Sequence, residues 1–285
     1  METENTSILQ HALQVWNFIP EGFSDGGGSC RVWRGSIPGG APAYLKWHPQ
    51  ERGWAQEVTA IKEWLPKIPG ALANWPKLIG ADRDQRLLLL SALHGELVES
   101  DSTPEETRNS LHRRAGAFSK ALHSLDIQDE DPIRLSSALP ERLSSWLARS
   151  HGSVPPDLEQ IAVEMVGDGS LFTDDRRVPC HNDFQERNWL ADGDSFSVID
   201  FEHAHLNHPA FDWVRLHFGC WQDYPRLRES FIAGYGAEPA WLGDGRLDAI
   251  GAIFATGSIV WGSEREEPAL VNQGLSILRG FIARD

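Results

Sequence analysis

Between Pro179 and Ala204 the chain reads PCHNDFQERNWLADGDSFSVIDFEHA, and this stretch restricts the fold more than any other. Trp189 and Leu190 read as a short apolar strand, Asp192-Gly193 as a turn, and Phe196, Val198 and Ile199 as the returning strand. An antiparallel hairpin brings its open ends together, so Asn188 before it and Asp200 after it become neighbours. Asp183, five residues ahead of Asn188, lies in the connecting loop within reach of both. Two carboxylates and a carboxamide are hard oxygen ligands of the kind Mg²⁺ prefers. Phosphoryl transfer asks for little else. It needs metal ions against phosphate charge, a carboxylate to orient and deprotonate the attacking hydroxyl, and a cation on the remaining phosphates.

The rest of the chain has two characters. Residues 7–18 read as a short helix capped by Ser7, and residues 24–35 as a strand, a glycine turn and a second strand. Residues 42–49 read as a further strand carrying Lys46, the only one of five lysines in such a segment. Residues 54–65 place Trp54, Val58, Ile61 and Leu65 on one helical face, with Glu57 beside it. Residues 77–98 read as two strands joined by a polar turn, with Leu87 to Leu90 as the strongest buried-strand signal. From about residue 104 the pattern turns helical, opening with a Thr cap, a proline and two acidic residues. No internal repeat, low-complexity tract or long linker interrupts it.

The combination H-N-D-x₄-N, a hairpin-length gap and I-D-F-E resembles the Brenner motif and metal-binding Ile-Asp of the aminoglycoside phosphotransferase and choline kinase superfamily. The resemblance implies a two-lobed, protein-kinase-like α+β fold. Residues 1–92 would form a small antiparallel-sheet lobe for the nucleotide, and residues 93–285 a larger, mainly helical lobe for catalysis and substrate. It implies Asp183 as catalytic base, Asn188 and Asp200 as Mg²⁺ ligands, and Lys46 as the anchor for the phosphates of ATP or GTP, held by Glu57. The glycine-rich loop over the nucleotide corresponds to residues 24–31, with Gly26, Gly27, Gly28 and Ser29 at its turn, although its spacing departs from that of protein kinases. Ser91 to Leu93 would be the hinge that meets the nucleobase through backbone groups. His181 would shape the catalytic loop, and Asp212, in HPAFDWVRL, would brace it. AFSKALHSL (117–125) resembles the superfamily's helix ending in Leu-His.

Composition bears on the partner. The net charge of −15 argues against nucleic acid and suits a cationic small molecule. No run approaches the roughly 18 to 20 apolar residues of a membrane span, and the N-terminus lacks the pattern of a secretory signal. Three distant cysteines, Cys30, Cys180 and Cys220, imply no disulfide framework and read as small buried hydrophobes, so a reducing cytoplasm is expected; the chain is expected as a monomer or homodimer. His203, His205 and His208 invite a metal reading, but Asn207-His208-Pro209 reads as a turn with no cysteine nearby. On the substrate side, Glu202 would face a cationic amine, and Trp213, Trp221 and Trp261 are candidates for cation–π contact. The expected reaction is phosphorylation of a hydroxyl on a cationic antibiotic or amino sugar. CHND-QE-N with IDFE also resembles choline and ethanolamine kinases, which leaves a metabolite kinase open. A catalytically silent nucleotide-binding pseudokinase is disfavoured, because no catalytic position is lost.

Overall fold

The structure, a computed structural model, describes residues 2–24, 30–98 and 102–283. The expected glycine turn, Gly26 to Ser29, lies outside the described residues.

Helix α1 (Glu2–Trp16) leads into β1 (Ile19–Ser24), β2 (Arg31–Ile37) and β3 (Ala41–Trp47). Then come α2 (Glu51–Thr59), extended by a π turn over Ala60–Trp64, and the hairpin strands β4 (Leu78–Asp82) and β5 (Leu87–Ser91). These strands form one antiparallel sheet in the order β1-β2-β3-β5-β4. Strand β5 is covered on both faces, which is why four consecutive leucines occupy it. Alternate side chains of a strand point to opposite faces. Leu87 and Leu89 meet Ile8 and Ala12 of α1, with Phe18, Trp33 and Leu45. Leu88 and Leu90 join Ile61, Trp64 and Leu65 in the larger core.

That larger core runs without a break into the rest of the molecule, through Phe184, Trp189 and Phe196. The chain leaves the sheet at Ser91, earlier than the sequence reading to residue 98. Gly95 turns it away at φ +115°, a left-handed conformation that glycine adopts readily. Strand β6 (Glu96–Leu97) then pairs with the hairpin of β8 (Trp189–Asp192) and β9 (Ser195–Val198). Helices α3 (Glu105–His123), α4 (Leu135–Arg149) and α5 (Pro156–Val166) precede β7 (Val178–Cys180), which pairs with β10 (His205–Asn207). After β10 come α6 (Ala210–His217), the short α7 (Cys220–Asp223), α8 (Pro225–Tyr235), α9 (Arg246–Glu264) and α10 (Pro268–Ile282). Thirteen of the nineteen residues of α9 are buried, so it is the axis around which α4, α5 and α10 pack.

Helices α3 and α8 cross at two glycines, one on each. A Cβ at Gly116 would overlap the Phe231 carbonyl oxygen, and one at Gly234 the Arg113 carbonyl oxygen. Backbones that close cannot admit a methyl group without parting. Gly116→Ala is expected to destabilise the fold by about 2 kcal/mol or more, read as a lower denaturant midpoint with unchanged slope.

Candidate active site

The 179–204 segment folds as its local pattern dictates. Trp189 pairs with Val198, and the Ile199 N–H donates to the Asn188 carbonyl at 3.0 Å, so the hairpin's open end holds Asn188 opposite the approach to Asp200. Asn188 Nδ2 donates to the Asp183 carbonyl at 2.7 Å and to Asp183 Oδ2 at 2.9 Å. His181 donates from Nε2 to the Ile199 carbonyl at 2.9 Å and accepts the Asp183 N–H at Nδ1, tying the loop to the returning strand. Asp212, on α6, accepts the N–H groups of His181 at 3.1 Å and Asn182 at 2.6 Å, and also His123 Nε2 at 2.9 Å. Asn182 and Asp200 both have positive φ, 61° and 68°. Asn and Asp tolerate that region better than most residues, and here the bonds around them hold it.

Lys46 closes the other side. Its Nζ lies 2.8 Å from Glu57 Oε2, 2.6 Å from Asp200 Oδ1 and 3.2 Å from Glu202 Oε2, with only 8 % of the side chain exposed. Burial alone would discharge this ammonium, yet Asp200, Glu57 and Glu202 hold its pKa well above the ordinary lysine value. The same contacts work in reverse on Asp200. Burial favours its neutral form, but the Lys46 charge and hydrogen bond pull it down to about 2. Three carboxylates around one ammonium leave negative charge over. Asp200, at 35 % exposure, is the one of the three open to solvent. Its Oδ2 and Asn188 Oδ1 take no hydrogen bond among the described residues. A carboxylate and an amide oxygen beside excess negative charge fit a hard divalent cation such as Mg²⁺.

Sequence reasoning missed several groups. Asp183 Oδ1 accepts from Arg215 Nε at 2.7 Å and Gln185 Nε2 at 2.7 Å, and Oδ2 accepts from Arg187 Nη2 at 3.2 Å. Burial opposes ionisation of Asp183, but Arg215, then Arg187, hold its carboxyl below the usual range. The signal for Arg215 was present, since it stands three residues after Asp212 and shares its helix face. Glu186 was missed as well. Arg108 of α3 grips it with two bonds of 2.8 Å, and His112 Nε2 donates to it at 3.0 Å.

The tryptophans need correction. Trp213 is fully buried, edge-on to Trp221, Phe231, Tyr235 and Trp241, where no substrate reaches it. Trp221 is buried too, and its indole N–H donates to His112 Nδ1 at 3.2 Å, which orients His112 toward Glu186. Of the three, Trp261 lines the cavity beside the Asp183 loop, and Arg265 covers its ring at 4.0 Å. Cys30 is not a buried hydrophobe but a half-buried donor to Glu202, which also lines the cavity. This cavity, of 530 Å³, is bounded by α2, α4, α6 and α9 and carries Arg52, Arg142, Arg215 and Arg265. Among the described residues Glu202 is its one carboxylate, and Lys46 and Cys30 already hold it.

A model of the phosphotransferase enzyme family matches residues 21–244. The chain belongs to the phosphotransferase enzyme family. Solved structures similar to this phosphotransferase along nearly their whole length include the aminoglycoside phosphotransferase APH(2'')-Ib with ADP bound, at TM-score 0.72 and 14 % identity, covering 96 % of this chain and 97 % of that one. APH(2'')-IIia with GDP and kanamycin is similar at TM-score 0.72 and 13 % identity, covering 99 % of each chain. The macrolide 2'-phosphotransferase MphH from Brachybacterium faecium, an apoenzyme, is similar at TM-score 0.64 and 15 % identity, covering 98 % of each. At such identities the likeness establishes the two-lobed kinase-like fold. No curated protein matches. Among the described residues no helix is long and apolar enough to cross a membrane.

Glu186 also sets an acid limit. Burial would raise its pKa, but His112 and Arg108 pull it from 4.5 to about 2. A carboxyl depressed on folding contributes stability that is complete above its unfolded value and is lost as pH falls through its folded value. The contribution, roughly 3 kcal/mol, is therefore full above about pH 4.5 and fades toward pH 2. Glu186→Gln is expected to lower the melting temperature at pH 7 and to flatten its fall between pH 4.5 and 2.

Proposed function

We propose that this phosphotransferase moves the γ-phosphoryl group of ATP or GTP to a hydroxyl of a small molecule held in the 530 Å³ cavity. The observation that carries the reading is the convergence of Asp183, Asn188 and Asp200 at one hairpin mouth, with Lys46 bound to Asp200 and Glu57.

Asp183 is ionised at neutral pH and is the base for the acceptor hydroxyl. Its oxygens are fully engaged, and Arg215, one of its partners, also lines the cavity, so an incoming hydroxyl reaches Asp183 beside that guanidinium. Positioning of the hydroxyl is then the main contribution, with proton removal adding about 10²–10⁴-fold. Lys46 holds phosphate oxygens, and Glu57 fixes its direction. Asn188 and Asp200 would hold Mg²⁺, which supplies neutralisation of phosphate charge when bound. Leu93 is the best-placed hinge contact. The Ser91 and Ala92 N–H groups are taken by the Lys77 and Pro42 carbonyls, whereas the Leu93 backbone makes no hydrogen bond among the described residues.

Aminoglycosides and macrolides, the compounds named for the structural neighbours, belong in the acceptor panel, and resistance is the role such an activity would serve. A choline-type kinase is less favoured, because two of the three candidate cage tryptophans are core residues.

The test is nucleoside-diphosphate release from ATP and from GTP with Mg²⁺, against aminoglycosides, macrolides, choline and small hydroxy acids. Asp183→Asn is expected to cut acceptor-stimulated release by about 10²–10⁴-fold while nucleotide affinity stays unchanged; near-normal turnover would overturn the assignment of the base. In a separate titration, Asp200→Ala should abolish the dependence of nucleotide affinity on Mg²⁺, and persistence of that dependence would remove Asp200 from the metal site.

A further inference from the structure

The cavity's charge is opposite to that of the chain. Overall 41 acidic residues face 26 basic ones, yet the cavity wall presents guanidinium groups. Arg215 has its carboxylate in Asp183. Arg52, at the start of α2, and Arg142, on α4, have none within ion-pair distance among the described residues, and neither does Arg265 at the end of α9. Arg142 lies over the Phe211 ring at 4.8 Å, which fixes its plane without neutralising it. With the Gln56 amide oriented to suit its neighbours, its oxygen accepts from Arg52 Nε at 3.2 Å. That bond orders Arg52 but leaves its charge uncompensated.

These charges act on each other. Arg52 stands near enough to Arg142 for the two guanidinium charges to oppose each other. Burial, then Arg142 and Arg52, pulls His205, on the same wall, down to about 4, so that His205 is neutral when the enzyme works. Like charges gathered in a concave, partly apolar site raise the free energy of the empty cavity, and an anion entering it relieves that repulsion. Guanidinium groups held by a ring face and an amide are already oriented for carboxylate or phosphate oxygens, which they bind in pairs. A polycation would meet the opposite conditions.

We propose that Arg142 and Arg52 form an oxyanion subsite, and that the acceptor is a hydroxylated small molecule bearing a carboxylate or phosphate group. This rests on the reading of the cavity as the acceptor site of a phosphotransferase, and it names the acceptor's charge. The anionic group sits against α4 and α2, and the hydroxyl is presented toward Arg215 and Asp183.

The test is calorimetric binding of glycerate, glycerol 3-phosphate, uncharged glycerol and kanamycin to protein already saturated with ADP and Mg²⁺, so that anions cannot enter through the nucleotide site. At least one of the two anions is expected to bind, with glycerol and kanamycin weaker than that anion. Preference for glycerate identifies a carboxylate subsite, and preference for glycerol 3-phosphate a phosphate subsite. Arg142→Gln should weaken the anion by about tenfold to a hundredfold, and Arg142→Lys should recover part of that loss. Arg142 is exposed on its helix, so both variants are expected to keep the wild-type melting temperature. Anions that bind no better than glycerol, or equally well to Arg142→Gln, would overturn the subsite, as would kanamycin binding more tightly than either anion. Failure of ADP to bind would instead count against the kinase reading. In that case the same anion titrations on unloaded protein, compared between wild type and Arg142→Gln, still decide the subsite.

Discussion

A single buried ammonium joins the two halves of this molecule. Lys46 stands on the central part of the sheet, but its partners come from α2 and from the strand end that leaves the catalytic hairpin. Each of those carboxylates would be costly to bury alone, and the lysine likewise. Together they bind the sheet to the strand end beside the Asp183 loop. The loop is fixed from below by a second set of charges, Arg108 and His112 on Glu186 and His123 beside Asp212. The Asp183 loop is held between two layers of paired charge, the lower one resting on the close-packed α3 and α8.

The arrangement explains why an acidic protein can own a basic pocket. Most of its carboxylates lie on outward faces, where water solvates them at little cost. The cavity collects arginines from helix ends and faces far apart in sequence, with Arg52 and Arg265 more than two hundred residues apart. A net charge reports the outer surface, whereas recognition depends on the lining. The Lys46 side has its own sign structure, an ammonium among the carboxylates of Glu57, Asp200 and Glu202, so in the proposed reaction donor and acceptor would meet differently charged walls.

What could be read from the sequence follows the range of the interactions involved. The hairpin, the pairing of its ends and the position of Asp183 are local, set by about twenty residues whose turn and strand chemistry agree. Lys46 and Glu57 needed the family resemblance, because nothing in residues 42–65 alone says that they touch. The tryptophans failed for a physical reason. An indole on a helix points to core or cleft according to which helices pack against it. At Trp213 that is decided by α8 and by Trp241, far along the chain. Charge in the cavity failed similarly, since Arg52 and Arg142 each look like solvated surface in their own helices. Arg215 is the legible exception, one turn beyond Asp212 on the same helix face.

The link between the lobes is short. On the sheet side, the Ser91 and Ala92 N–H groups are bonded to Lys77 and Pro42. On the other side, Glu96 and Leu97 are stitched to β8, the Val98 N–H donates to Trp189, and Gly95 presses against Ala191. Among the described residues the Leu93 and His94 backbones bond to neither side and form the covalent joint between the lobes, beside the Asn74 bonds to Phe196 and Val198. A nucleobase docked on Leu93 would grip that pivot directly. Occupancy by nucleotide and the opening angle of the cleft would then be governed by the same two peptide units, so the enzyme would sense its phosphate donor at its own joint.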